Sequence, residues 1–181
     1  MIINNLKKYA HKDTKTSSKS LCLCAFVCLL IFFHPARTYS QEIKKIKITE
    51  LENYIRQSDH PLIVNFWATF CVPCVKEIPA FQSAVEKNSG VELLLVSLDL
   101  PGYYPEKISS FAKEKKFTAA ISWLNETNAD YFCPKIDRKW SGAIPSSLFV
   151  NNKTKYHRFF EKEMTGEEVE KYIREMFVAH N

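Results

Sequence analysis

The sequence predicts an α/β domain, a central mixed β-sheet flanked by helices, and three observations carry that expectation. Two almost wholly apolar runs of strand length, Leu62 to Trp67 and Val91 to Leu98, fit strands buried on both faces. Segments of helical period alternate with them. Near the C-terminus, Asn151-Asn152 joins two short strand-like runs, which is an antiparallel hairpin signal.

Taken in order, Ile46 to Ile48 reads as a short strand. Thr49-Glu50-Leu51-Glu52 reads as a capping box opening a helix through about Ser58. Asp59-His60-Pro61 turns the chain into the strand at Leu62. Helix resumes near Cys71 and runs to about Lys87, with Pro79 predicting a kink. After the strand at Val91 to Leu98, Pro105 stands at a helix start and Glu106 to Lys116 form an amphipathic helix. Ala119 to Trp123 is a further strand, and a Thr-, Asn- and Asp-rich segment follows through Lys139. The hairpin strands are Ser147 to Val150 and Lys155 to Phe160. Thr165-Gly166-Glu167-Glu168 is a second capping box, opening a last helix through about Phe177.

The net charge of +5 belongs to the first 40 residues, which hold six basic side chains against Asp13 alone. From Gln41 onward 19 basic and 19 acidic side chains balance, so no electrostatic ground exists for a nucleic-acid partner. The leader has a lysine-bearing stretch, an apolar run from Leu21 to Phe33 and small or polar residues from Ala36 to Gln41. Thirteen residues span about 20 Å as a helix, against a hydrocarbon core of about 30 Å. That length suits a secretory signal, with Thr38 and Ser40 as the small residues before a cleavage at Gln41. Residues 1–40 are therefore expected to be a signal peptide and 41–181 a single domain. The alternative is an uncleaved membrane anchor. Cys22, Cys24 and Cys28 sit inside the apolar run, where lipid attachment is not expected.

Removing the leader reduces six cysteines to Cys71, Cys74 and Cys133. One close pair and one single cysteine do not make a disulfide-stapled scaffold. Cys71-Val72-Pro73-Cys74 lies where a buried strand meets a helix. The first helical turn carries unpaired N–H groups and about half a unit of positive charge, which stabilises a thiolate on Cys71. The thiolate is the attacking species in disulfide exchange. Cys74, one turn deeper, is placed to attack the sulfur of Cys71 and resolve a mixed disulfide. Pro73 limits the freedom of the turn. A zinc site needs two further ligands at tight spacing, whereas His60, His157 and His180 are scattered. A structural staple closing so short a loop restrains the unfolded chain little. Redox chemistry is the expected role, with no metal and no cofactor.

Pro61 to Phe81 (PLIVNFWATFCVPCVKEIPAF) and Ser141 to Asn151 (SGAIPSSLFVN), about 70 residues apart, resemble the thioredoxin superfamily. More narrowly the chain resembles the exported TlpA/ResA-like thiol–disulfide oxidoreductases. The resemblance implies a thioredoxin fold with an insert before the cis-proline strand, here Pro101 to Lys139. It implies that Pro145, preceded by Ile144, is that cis-proline and faces the CxxC. Trp67, Pro73, Ile144 and Pro145 are then the expected substrate-binding residues, with Trp67 both core and rim.

In cytoplasmic thioredoxins a buried aspartate precedes Phe-Trp and accepts the proton of the buried cysteine. Here that position is Asn65, which does not ionise. Glu77, three residues after Cys74 on the same helix face, is the candidate to take the role, as a carboxylate whose pKa partial burial raises. The bland alternative is an exposed glutamate beside Lys76. Cys133 is read as a buried small hydrophobe, or else as a third redox thiol or intermolecular disulfide site. Trp140 either lines the substrate groove or packs in the core.

The expected function is an envelope protein disulfide reductase using Cys71, Cys74 and Glu77, re-reduced by a membrane or envelope dithiol protein, and monomeric. The reducing direction comes from the resemblance. A disulfide oxidase or isomerase would use the same residues. A thiol peroxidase wants a Pro-x-x-x-Thr-x-x-Cys setting with an arginine, whereas Thr69 stands two residues before Cys71 and no arginine is nearby. A non-enzymatic copper-binding carrier of thioredoxin-like fold is the rival from another class.

Overall fold

A computed structural model describes residues 42–178. The elements run β1 (Lys44–Ile46), α1 (Ile48–Gln57), β2 (Leu62–Trp67), α2 (Val72–Lys87), β3 (Glu92–Ser97), a 3-10 turn (Pro101–Tyr103), α3 (Glu106–Glu114), β4 (Ala120–Leu124), α4 (Ala129–Ile136), β5 (Ser146–Asn151), β6 (Tyr156–Phe160) and α5 (Gly166–Met176). Six strands form one sheet in the order β1-β4-β3-β2-β5-β6. The four on the β1 side are parallel neighbours, while β2–β5 and β5–β6 are antiparallel. The mixed α/β architecture is thus the expected one.

Strand alternation sorts the core into two layers. Ile63 and Trp67 of β2, Leu93 and Leu95 of β3 and Phe149 of β5 face α2, α3 and α5. Leu62, Val64 and Phe66, with Leu94, Val96, Leu148 and Val150, face α1 and α4. Both faces of β2 are therefore dry, which is why its sequence is a continuous apolar run broken only by Asn65.

Three details differ from the sequence reading. The first strand ends at Ile46, and α1 is capped at Lys47, not Thr49. Glu50 accepts from the Lys47 N–H at 2.7 Å. Residues 125 and 126 fix this start, because Asn125 N–H donates to the Ile46 carbonyl and Glu126 accepts from Ile48 N–H. The polar segment before Lys139 contains α4, whose Phe132, Cys133 and Ile136 are buried against the sheet. The strand expected over Ala119 to Trp123 is present as β4 and lies inside the sheet between β1 and β3. The second capping box is as expected: Thr165 Oγ1 accepts from Glu168 N–H at 3.3 Å, and Glu168 Oε2 accepts from Thr165 N–H at 2.9 Å.

Among the described residues no helix is long and apolar enough to cross a membrane. The leader and its three cysteines lie outside the described residues.

Candidate functional site

The end of β2 delivers Cys71 to the N-cap of α2. Its backbone is extended, so its carbonyl begins the helix by accepting from Val75 N–H at 3.1 Å. Its sulfur accepts from Cys74 N–H at 3.4 Å, within the group of otherwise unpaired amides at the helix start. Cys71 and Cys74 are joined in a disulfide. The two cysteines are unequally placed: residue 71 keeps 8% exposure and residue 74 none, so Cys71 lies nearer the surface than Cys74. An incoming group therefore reaches Cys71 first. Phe70 and Val72, flanking it, are exposed apolar side chains, Val72 at 76%. Pro73 is half-buried between the two cysteines.

The strand before the motif is held from β3. Asp99, buried just beyond that strand, accepts from Thr69 N–H with both oxygens at 3.1 Å and from Thr69 Oγ1 at 2.6 Å. Ser97 Oγ donates to the same carboxylate at 2.8 Å, and Trp123 Nε1 donates to the Asp99 carbonyl. These bonds fix the loop two residues before Cys71. Sequence reasoning missed Asp99. Its one signal was a lone acidic residue closing the apolar run at Leu98.

Trp67 was expected to be both core and rim. The structure buries it completely, with its ring edge-on to Phe117 at 5.3 Å and beside Phe111 at 6.1 Å. In this oxidised form it supports the site from beneath and presents no surface. Trp140 is likewise core: it packs on Phe66 at 4.4 Å and on Phe132 and Phe159. The choice left open for it is settled by those rings.

Glu77 is 2% exposed, one turn beyond Cys74 on the buried face of α2. Burial pushes its carboxyl up to about 7. Hydrogen bonds from Met164 N–H (2.7 Å) and Asn65 Nδ2 (2.8 Å) oppose that rise, and nearby Glu163 adds to it. The exposed alternative for Glu77 does not hold. Asn65 Nδ2 also donates to Ser147 Oγ at 3.0 Å, and Asn65 Oδ1 has no partner among the described residues.

Ile144–Pro145 is a cis peptide bond. The β2–β5 register pairs Phe66 with Ser146, which sets Pro145 beside the end of β2 where the motif begins. Pro145 is buried, and Ile144 packs against the layer that contains Cys71 and Cys74. Cys133 is a buried free thiol under the same loop, pushed up to about 11 first by burial and then by Glu161 and Asp130. A thiol so held is not a ready nucleophile.

Comparison with known proteins gives the family. Residues 31–155 match the model of the AhpC/TSA family. Sporulation thiol-disulfide oxidoreductase A of Bacillus subtilis is 27% identical over 117 residues, covering 62% of this chain and 66% of that protein. Thiol-disulfide oxidoreductase ResA of Bacillus cereus is 26% identical over 139 residues, covering 75% and 70%. Among solved structures, a thioredoxin-related protein from Neisseria meningitidis serogroup B aligns with a TM-score of 0.52 at 25% identity, covering 66% of this chain and 83% of that one. The chain spans 59–66% of the length of three of the curated relatives it matches. With the family match extending over well more than half of its residues, the chain belongs to the AhpC/TSA family and, within the thioredoxin superfamily, is TlpA/ResA-like.

Proposed function

We propose that this protein is a thiol–disulfide oxidoreductase that reduces disulfides of other proteins through Cys71 and Cys74. The observation that carries the reading is a disulfide across the first turn of α2 whose two cysteines are unequally buried, Cys71 at the helix N-cap nearer the surface and Cys74 wholly enclosed. In the reduced enzyme, the Cys71 thiolate attacks one sulfur of a substrate disulfide. One substrate sulfur leaves as a thiolate, and a mixed disulfide remains. Cys74 then attacks Cys71 Sγ, releasing the second substrate thiolate and restoring the disulfide. Two electrons pass from enzyme to substrate, and the two substrate sulfurs take up two protons.

Cys74 must lose its proton in a dry site before it attacks. Glu77 is assigned as the acceptor, since a carboxyl titrating near 7 exchanges protons at neutral pH without a large driving-force penalty. Pro73 and Ile144, both half-buried, form the surface against which the substrate chain lies, with the buried Pro145 fixing the backbone of that loop. Electrons return from a membrane or envelope dithiol protein. The leader places the monomeric protein in the periplasm or envelope, after cleavage before Gln41 or tethered by an uncleaved segment. The stretch from Pro101 to Lys139 is taken as the family's insert.

A thiol peroxidase is the reading that the family match keeps in view. Two features weigh against it: Thr69 Oγ1 is committed to Asp99, and the second cysteine lies in the same helical turn. Insulin turbidity with dithiothreitol as electron source tests the reading, with reduction expected to exceed the uncatalysed rate by at least about ten-fold. Hydrogen peroxide consumption without insulin reduction would overturn it. A reduction potential of about −120 mV, the strongly oxidising end of the known range, would contradict the reducing direction.

A further inference from the structure

A third carboxylate outside the CxxC, after Glu77 and Asp99, grips the other half of the site. Glu161 immediately follows β6, whose last residue, Phe160, pairs with Ser147. That register brings Glu161 alongside the segment that precedes β5. Its Oε1 accepts from Ala143 N–H at 3.0 Å, from Ser141 N–H at 3.2 Å and from Ser141 Oγ. Oε2 lies 3.3 Å from Ser141 N. Trp140 Nε1 donates to the Ala143 carbonyl at 3.0 Å, so the segment is held from both sides. Gly142 makes the turn possible with φ of +96°, and a Cβ there would meet Cys133 Sγ and Ala129 Cβ at 3.7 Å.

We propose that Glu161 is a positioning residue that fixes the Ser141–Pro145 loop, and through it Ile144 and Pro145, in the conformation that receives a disulfide-bearing polypeptide. Three donors converging on one carboxylate are the arrangement expected where a loop is ordered in advance of binding, as in an anion nest made by side chain and backbone together. Burial alone would raise the Glu161 carboxyl. The donors from Ser141 and Ala143 outweigh it and hold the group below the ordinary range, so the carboxylate is charged whenever the enzyme works near neutrality. Three residues on, Met164 N–H donates to Glu77. One short connector thus holds both the loop of the cis-proline and the carboxylate behind Cys74. An ordered loop lowers the ordering cost of binding without touching the exchange of sulfurs, so its loss falls on KM.

This inference rests on the disulfide-reductase reading, and the experiment separates the two. Wild type, Glu161→Ala and Glu161→Gln are compared in insulin reduction and in amide hydrogen exchange at Ser141 and Ala143. Glu161→Ala is expected to raise KM for insulin about ten-fold with kcat within about two-fold of wild type, and to speed exchange at both amides. Glutamine keeps an oxygen where the donors converge, so Glu161→Gln is expected to recover KM to within about three-fold of wild type. Unchanged KM and unchanged exchange in Glu161→Ala overturn the proposal. So does a fall in kcat equal to the rise in KM, or a Glu161→Gln variant as impaired as the alanine. If wild type reduces no insulin, the reductase reading fails, and amide exchange alone still judges whether Glu161 orders the loop.

Discussion

Asn65 Nδ2 donates to Glu77 Oε1 at 2.8 Å across the buried interface of β2 and α2. The position that resemblance assigns to an acid in cytoplasmic thioredoxins is thus occupied by an amide that supports an acid on the neighbouring helix. The ionisable group has moved from strand to helix, one turn from Cys74. Because the amide also donates to Ser147 Oγ, it ties the CxxC helix to the strand that follows Pro145.

Glu77 makes a pH-dependent contribution whose sign is fixed by its burial. Its folded pKa of about 7 lies above the ordinary 4.5. Between those values the folded protein holds a proton that the unfolded chain has released, so Glu77 lowers stability as pH rises through that window. Glu77→Gln removes the effect, and a flip of the Asn65 amide offers its unpartnered Oδ1 to the new donor. The melting temperature of the oxidised variant, relative to wild type, is expected to rise by about 5 °C between pH 4 and pH 8. Thermal melts across that range check it.

The same substitution tests proton transfer. Wild type is expected to gain rate with pH through about 7 as Glu77 becomes able to accept from Cys74. Glu77→Gln is expected to lose that inflection and to turn over more slowly by about ten-fold or more at pH 7. An unchanged pH–rate profile removes Glu77 from the mechanism.

Asp99 holds Thr69 through its backbone and its hydroxyl. Asp99→Ala leaves both donors in a partly buried place without their acceptor. Denaturant unfolding is expected to show a loss of about 1–3 kcal/mol, with Thr69→Val recovering less than half of it because the N–H remains unpaired.

Trp140 is surrounded by Phe66, Phe132 and Phe159. Trp140→Ala is expected to cost about 3–5 kcal/mol in unfolding free energy, and Trp140→Phe much less. If the tryptophan lined the substrate groove instead, alanine would raise KM and leave stability unaltered.

The sheet was legible in the sequence because its central strands are buried on both faces and therefore read as apolar runs. The CxxC was legible because disulfide exchange needs two cysteines one helical turn apart at a helix start, and the cis-proline was legible only through the resemblance of Ser141 to Asn151 to the thioredoxin superfamily. Helix α4 was not, since Pro134 and its Asn- and Asp-rich approach mask an apolar face of only Phe132, Cys133 and Ile136. Asp99 and Glu161 were hidden for a different reason. Each works by reaching a segment about 20 to 30 positions away, and nothing local marks an acidic residue as the acceptor of distant amides. Of the core-and-rim place expected for Trp67, the structure shows the core half, because position beside a motif says nothing about depth.

The measurement closest to the central claim is capture of the mixed disulfide. Reduced Cys74→Ser and Cys71→Ser proteins are each mixed with a disulfide-bearing polypeptide, and the products are read by intact mass and peptide mapping. Cys74→Ser is expected to accumulate a covalent adduct at Cys71, because the enclosed thiol that would release it is gone, while Cys71→Ser stays unmodified. Adducts on Cys74 of the Cys71→Ser protein, with none on Cys71 of its counterpart, would contradict the assignment of attacking and resolving sulfurs.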